Sequence, residues 1–357
     1  MGRVENMKII ARMSLQEGMI LGEDVKDSHG NVLCAAGTKI TEKVINRLNR
    51  YSIMCVTVME EIDFAQTHYE RMRFDSTFKA FEILYSDSLN RYKEMMTIFL
   101  NTGIVIDSNK LLSLYHNVMS AVPGNAAIFD YLYIRIPNED EMTLTHCFNS
   151  ALIAGTFADW LMLSEEEKNT LILCGFYYDI GKLMLPYHLL WKPGKLTAEE
   201  FEQIKSHTVT GYKLLRLHSI DSQIKRTVIL HHERLDGSGY PYGFKNEEID
   251  FYSKCISIID TYEAMAAPRA HRLSIPPLNI LAHFEESLTQ YDVEILMPIM
   301  KHIANIQLGT NVELSDESVW EVFILNNHKL SRPILRNEKS EMLDLTTRPD
   351  LKIVKVI

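Results

Sequence analysis

The sequence predicts a mainly α-helical protein with a small α/β module at its N-terminus and a short β-rich C-terminal tail. Three observations predict this class. Apolar residues recur at a helical period through most of the stretch from Phe74 to Ala304. Short strand-like runs separated by turn residues occupy Met13 to Met59, and similar runs return beyond Gly309.

Residues 1–65 read as a small regulatory or packing module. Gly18 to Gly22 and Val32 to Gly37 are strand-like, with a turn at Asp27-Ser28-His29-Gly30 between them. A short helix follows, with Thr41 placed to cap it, Glu42 in its first turn and Val44, Ile45 and Leu48 at helical spacing. Cys55 to Val58 closes the module as a strand. It contains no phosphate loop, no His/Cys cluster and no phosphoacceptor motif.

Residues 66–121 read as a helical connector. Phe78, Phe81, Leu84, Tyr85, Leu89, Tyr92 and Met96 form one stripe, and Ser108 to Met119 repeats the pattern. Such a stripe serves packing within the chain or a seam with a second copy or a signalling partner. Residues 122–304 should be all-helical, built from long amphipathic segments such as Leu144–Leu163 and Glu199–Leu217. Residues 305–357 form the tail, with strands at 312–314, 319–325, 332–335 and 352–357 and turns at Asn326-Asn327 and Asn337-Glu338-Lys339.

Composition bounds the function. The chain has 357 residues, 46% hydrophobic and 24% charged, the profile of an ordinary globular protein. A net charge of −10 argues against a general nucleic-acid surface but not against a local cationic pocket. The five cysteines are odd in number, with no C-x-x-C pair, so a reducing cytoplasm is expected rather than a disulfide framework or zinc ribbon. No long apolar run marks secretion or membrane spanning.

The chemistry lies in the central region. His231-His232-Glu233-Arg234-Leu235-Asp236-Gly237-Ser238-Gly239-Tyr240-Pro241 sets two adjacent imidazoles before a Gly-rich turn. Upstream, Asp179-Ile180-Gly181-Lys182 follows an apolar run, which places a carboxylate and an ammonium at a helix end. His146, Asp179, His207, His231, His232 and Asp260 together offer four imidazoles and two carboxylates. Mixed N/O donors suit Fe, Mn or Zn, and a carboxylate can bridge two cations about 3.5–4 Å apart, the arrangement that promotes phosphoester hydrolysis. The remaining histidines read as packing or surface residues, as do the charges of Arg234 and Lys254.

The order of these motifs resembles the HD-GYP family, a branch of the HD phosphohydrolases that degrades cyclic di-GMP. The resemblance runs from about residue 135 to 290. It rests on His146, Asp179-Ile180-Gly181-Lys182, Leu185-Pro186, Trp191 to Thr197 with Glu200-Phe201, Ile204 to His207 with Gly211, His231-His232-Glu233, Asp236 to Pro241, and Asp260 with Tyr262 and Arg269. It implies an all-helical HD-type catalytic domain. It also implies that His146, Asp179, His207, His231, His232 and Asp260 ligate two divalent metal ions, Fe or Mn first and Zn, Mg or Ni also compatible, with Asp179 bridging. Lys182 would face the scissile phosphate, Arg269 and Arg272 would hold the dinucleotide's other phosphate, and Tyr240 would shape the pocket. The implied reaction is hydrolysis of cyclic di-GMP to pGpG and/or GMP through a metal-activated hydroxide.

Three positions depart from the family pattern. Its signature His-Asp pair is Tyr178-Asp179, so one metal position should be weakened. Tyrosine, with a pKa of about 10, is expected to fill space or hydrogen-bond a metal-bound water, phenolate ligation being the other reading. A catalytically impaired homologue that binds cyclic di-GMP or a partner protein is therefore the alternative function. Met142 replaces the glutamate that serves a third metal in some members, and Glu141 lies about 100° away around a helix, so at most two ions are expected. Glu263 replaces an aspartate and is read as conservative.

Overall fold

A computed structural model describes residues 6–357 apart from 13–14, 16–18, 28–31, 36–37, 39, 52, 61–68, 70–71, 74, 136–141, 191, 193 and 268–273. Most of the turn expected at Asp27–Gly30, together with Glu141, Trp191, Pro193, Arg269, His271 and Arg272, therefore lies outside the described residues. The chain divides into two compact units, Met1–Phe74 and Asp75–Ile357.

The first unit is α/β. Strands β1 (Asn6–Ala11), β5 (Cys55–Glu60) and β2 (Ile20–Leu21) form an antiparallel sheet in the order β1-β5-β2, and β3 (Val25–Lys26) pairs with β4 (Val32–Cys34). Helix α1 (Glu42–Arg50) contributes Leu48 to a core with Leu21, Val25, Leu33, Ile40, Val56 and Val58. Strands β2 and β4 are shorter than the runs that predicted them, β5 extends two residues past its expected end at Val58, and β1 and β3 were not anticipated. Thr41 occupies the N-cap position, but its side chain makes no capping hydrogen bond.

The second unit is helical before its terminal sheet. Helices α2 (Ser76–Thr102) and α3 (Ser108–Met119) are capped by Asp75 and Asp107, whose carboxylates accept from Thr77 N and Asn109 N. The stripe of α2 is buried within this unit. Tyr85 and Phe148 meet edge to face at 5.3 Å, and Tyr92 lies 5.1 Å from Phe176. The connector stripe thus serves internal packing. Helices α4 (Ala127–Ile134), α5 (Met142–Trp160) and α6 (Glu165–Tyr177) follow, with Ser164 and Glu167 forming a reciprocal cap at the start of α6.

Helix α5 corrects one expectation. Residues 147–158 are buried without interruption, so it is a central helix enclosed on all faces rather than an amphipathic one. Its closest neighbour is α6, where a Cβ added to Gly175 would lie 2.6 Å from Ala151 Cα and 2.7 Å from Ala151 N. A 3-10 turn (Ile180–Met184) and α7 (Tyr187–Leu190) lead to α8 (Ala198–Lys205) and α9 (His207–Leu215). The single helix expected over 199–217 is therefore broken at Ser206, immediately before His207. Helices α10 (Ser222–Leu230), α11 (Phe251–Ala266), α12 (Pro277–Glu286) and α13 (Val293–Ile306) complete the bundle.

The tail is a five-stranded antiparallel sheet of order β10-β6-β7-β8-β9, with β6 Asn311–Leu314, β7 Val319–Ile324, β8 Ile334–Arg336, β9 Met342–Asp344 and β10 Ile353–Val356. Only β9 was missed. Asn279 Nδ2 on α12 donates to Ile353 O at 2.8 Å, and Ser331 Oγ donates to Glu285 Oε2, which fastens the sheet to the bundle.

Gly175→Ala is expected to cost about 1–3 kcal/mol through overpacking of α5 against α6. Urea unfolding should show a lower midpoint with an unchanged m-value.

Candidate metal centre

Five helices and one turn converge on Asp179. It follows the end of α6, where Tyr178 is the C-cap, and precedes the 3-10 turn that carries Lys182. His146 comes from α5, His207 from the start of α9, His231 and His232 from the end of α10, and Asp260 from α11. Close backbone contact sets the register. A Cβ on Gly181 would fall 1.9 Å from His207 O and 2.7 Å from Gly211 N, so only glycine lets the turn lie on α9.

The Asp179 carboxylate is completely buried, and neither oxygen has a hydrogen bond of acceptable geometry. Cationic or lone-pair nitrogens surround it instead. Lys182 Nζ is 2.5 Å from Oδ2, His207 Nε2 is 3.2 Å and His231 Nε2 is 3.7 Å from Oδ1, and His146 Nε2 is 3.9 Å from Oδ2. Burial opposes its ionisation, but the Lys182 ammonium holds its pKa well below the ordinary carboxylate range.

The ring orientations are those of metal ligands. His207 Nδ1 faces Ile204 O at 2.6 Å, and His231 Nδ1 faces Val228 O at 3.0 Å. Each Nδ1–H donates to a carbonyl, so each Nε2 is left with its lone pair, and these two atoms face one another at 3.3 Å. Two lone pairs beside a buried carboxylate repel unless a cation lies between them. Burial lowers the pKa of His231, and burial with His231 lowers that of His232, which favours the neutral, metal-binding form. The donors fall into two groups that share Asp179: one with His207, His231 and His232, the other with His146 and Asp260.

Residues 132–295 match the HD domain family. The chain is also similar, over part of its length, to curated cyclic-dinucleotide phosphodiesterases. The chain is 26% identical over 201 residues to the cyclic di-GMP phosphodiesterase PA4108 of Pseudomonas aeruginosa, covering 56% of this chain and 49% of that protein. It is 34% identical over 166 residues to a cyclic di-GMP phosphodiesterase of Thermotoga maritima, covering 45% of each. It is also 34% identical over 167 residues to the 3'3'-cGAMP-specific phosphodiesterase 1 of Vibrio cholerae, covering 46% of this chain and 38% of that protein. The chain thus spans about half the length, or less, of these curated relatives.

Within the matched region, Tyr178 has a defined partner. It is fully buried; its hydroxyl donates to Asp260 Oδ1 at 3.3 Å and lies 3.1 Å from Ser150 Oγ. Burial, reinforced by Asp260 and Asp179, raises its pKa well above 10, so the side chain remains a neutral phenol. Its hydroxyl thus bonds a carboxylate of the second donor group directly.

Several contributors were not anticipated. Glu263, read as a conservative change, is buried and engages His146 Nδ1 through Oε2 and Asn149 Nδ2 through Oε1. Burial opposes charge on His146, but Glu263 and Asp260 outweigh it and push its pKa up to about 10. Glu233 accepts from Tyr242 N at 2.8 Å and Phe244 N at 3.0 Å, which shapes the Gly-rich loop behind Tyr240. The available signal was helical spacing, since Glu263 lies three residues after Asp260 and Asn149 three after His146. Tyr240 stacks on His232 at 4.7 Å. Two charges expected to be solvated are not: Arg234 donates to His231 O and lies over the Tyr291 ring, and Lys254 pairs with Asp292 at 3.0 Å.

Among the described residues, no helix is long and apolar enough to cross a membrane, and all five cysteines are free.

Chelation is expected to lower the melting temperature, because it removes the charge that compensates Asp179. Restoring a divalent cation at a hundredfold excess over its Kd should recover about 2.7 kcal/mol in differential scanning calorimetry. Asp179→Asn should show no such increment.

Proposed function

We propose that this chain is a metal-dependent phosphodiesterase that hydrolyses cyclic di-GMP to pGpG and/or GMP. The observation that carries the reading is the buried Asp179 carboxylate, without hydrogen bonds and faced by ring nitrogens from three helices. His146, Asp179, His207, His231, His232 and Asp260 are the proposed ligands of two divalent ions, Fe or Mn foremost. Such ions would lower the pKa of a water molecule and neutralise charge on the phosphate.

The chain's own groups complete the chemistry. A water oxygen bonds to phosphorus as the P–O3′ bond breaks; the water gives up a proton, the departing O3′ takes one up to become a hydroxyl, and negative charge grows on the non-bridging oxygens. Lys182 is the nearby ammonium with solvent access, its side chain 21% exposed while Asp179 is 0% exposed. It is suited to meet that charge as a point donor. Asp179 orients Lys182, and Glu233 holds the loop that brings Tyr240 over His232. Tyr240 would then offer an aromatic wall to the ligand. Arg269 and Arg272 are proposed to bind the second phosphate. The names of the relatives include both cyclic di-GMP and 3'3'-cGAMP enzymes, so both dinucleotides are the substrates to compare.

Protein prepared anaerobically and loaded with Fe²⁺ or Mn²⁺ should release linear product from cyclic di-GMP, resolved by chromatography. Asp179→Ala should abolish release, and Lys182→Ala should lower kcat by about 10²–10³ if the ammonium stabilises the transition state. No product under any loading would overturn the enzymatic reading in favour of a binding module. Tyr178→His should raise both the second-site metal affinity and turnover; unchanged values would remove Tyr178 from any role at the second donor group.

A further inference from the structure

Helix α2 lies far from the ligands in sequence, yet a buried hydrogen-bond chain joins it to one of them. Tyr85 on α2 donates its hydroxyl to Asn149 Oδ1 at 2.6 Å, across 64 residues of chain. Asn149 Nδ2 donates to Glu263 Oε1 at 2.6 Å, and Glu263 Oε2 engages His146 Nδ1. His146 Nε2 points to Asp260 Oδ1 at 2.9 Å. Tyr85, Asn149 and Glu263 are exposed by 0%, 6% and 4%, so water does not compete at these links.

We infer that Tyr85 is a positioning residue for the His146, Asp179 and Asp260 metal position, acting through Asn149 and Glu263. This rests on the reading of the cluster as a metal centre. The polarity of the chain is fixed at each link. A phenol hydroxyl must donate to the amide oxygen, which turns the amide nitrogen toward Glu263, and the carboxylate so held fixes the plane of the His146 ring. Burial pushes the Tyr85 pKa up to about 12, which keeps the donor protonated, and Arg135 lies 4.0 Å from its ring centroid and packs the phenol in place. The other donor group uses a different device, its His207 and His231 rings being held by backbone carbonyls of their own helices. Loss of Tyr85 should therefore affect one metal position and spare the other.

Tyr92 provides the control. It is on the same helix, equally buried, and its hydroxyl donates to Phe176 O, a backbone carbonyl rather than a group leading to a ligand side chain. Apo-protein would be titrated with Co²⁺, with visible absorption reporting ligand geometry and bound metal measured by mass spectrometry. Wild type should bind two equivalents. Tyr85→Phe should weaken the second by about 10–100-fold and alter its spectrum, leaving the first unchanged. Tyr92→Phe should lower stability while leaving both equivalents as in wild type. Equal behaviour of the two variants in the titration would overturn the inference alone. A wild type that takes one equivalent would overturn the assignment of the second position and the inference with it, and one that takes none would overturn the metal-centre reading as well.

Discussion

A single buried anion sets the terms for the HD domain. Removing a carboxylate from water costs several kcal/mol unless opposite charge or hydrogen bonds replace the lost hydration. Asp179 has no hydrogen bond and is met by Lys182 and three imidazoles. These groups come from separate segments, so satisfying one carboxylate requires α5, α6, α9 and α10 to keep fixed mutual positions. The close contacts at Gly175 and at Gly181 with Gly211 make that geometry attainable, because each lets backbones approach where a side chain would hold them apart.

The two donor groups are not equivalent. The one containing His207, His231 and His232 has two of its rings fixed by carbonyls and closes around Asp179 with four residues. The other has three, and its Asp260 already accepts from the phenol of Tyr178. Replacement of histidine by tyrosine at that position exchanges a lone pair for a proton donor in a carboxylate-rich pocket. The side chain thus supports the neighbouring Asp260 carboxylate.

The residues gathered around Asp179 were legible because imidazoles and carboxylates between apolar runs have few other uses, and their order resembles a family pattern. The helical class was legible from periodicity. What escaped was information held only in three dimensions. Helix α5 was read as amphipathic, whereas it is enclosed on all faces because α2, α6 and α11 pack around it. The interruption at Ser206 is a single residue within an otherwise helical pattern, and β9 is too short to register as an alternating run. Tyr85 and Asn149 looked like an aromatic of the stripe and an ordinary polar residue; their partners lie 64 and 114 residues away.

The packing of α2 has a consequence for how this protein can be recombined. The match to the HD domain family begins at residue 132, but the aromatic surface of the central helices is completed by Tyr85 and Tyr92, which precede it. A graft cut at the start of the recognisable domain would leave Phe148 and Phe176 facing water and Asn149 without its phenol. The segment that packs as one piece is therefore longer than the segment identifiable by likeness, and the helix that looks like a linker belongs to the same compact unit.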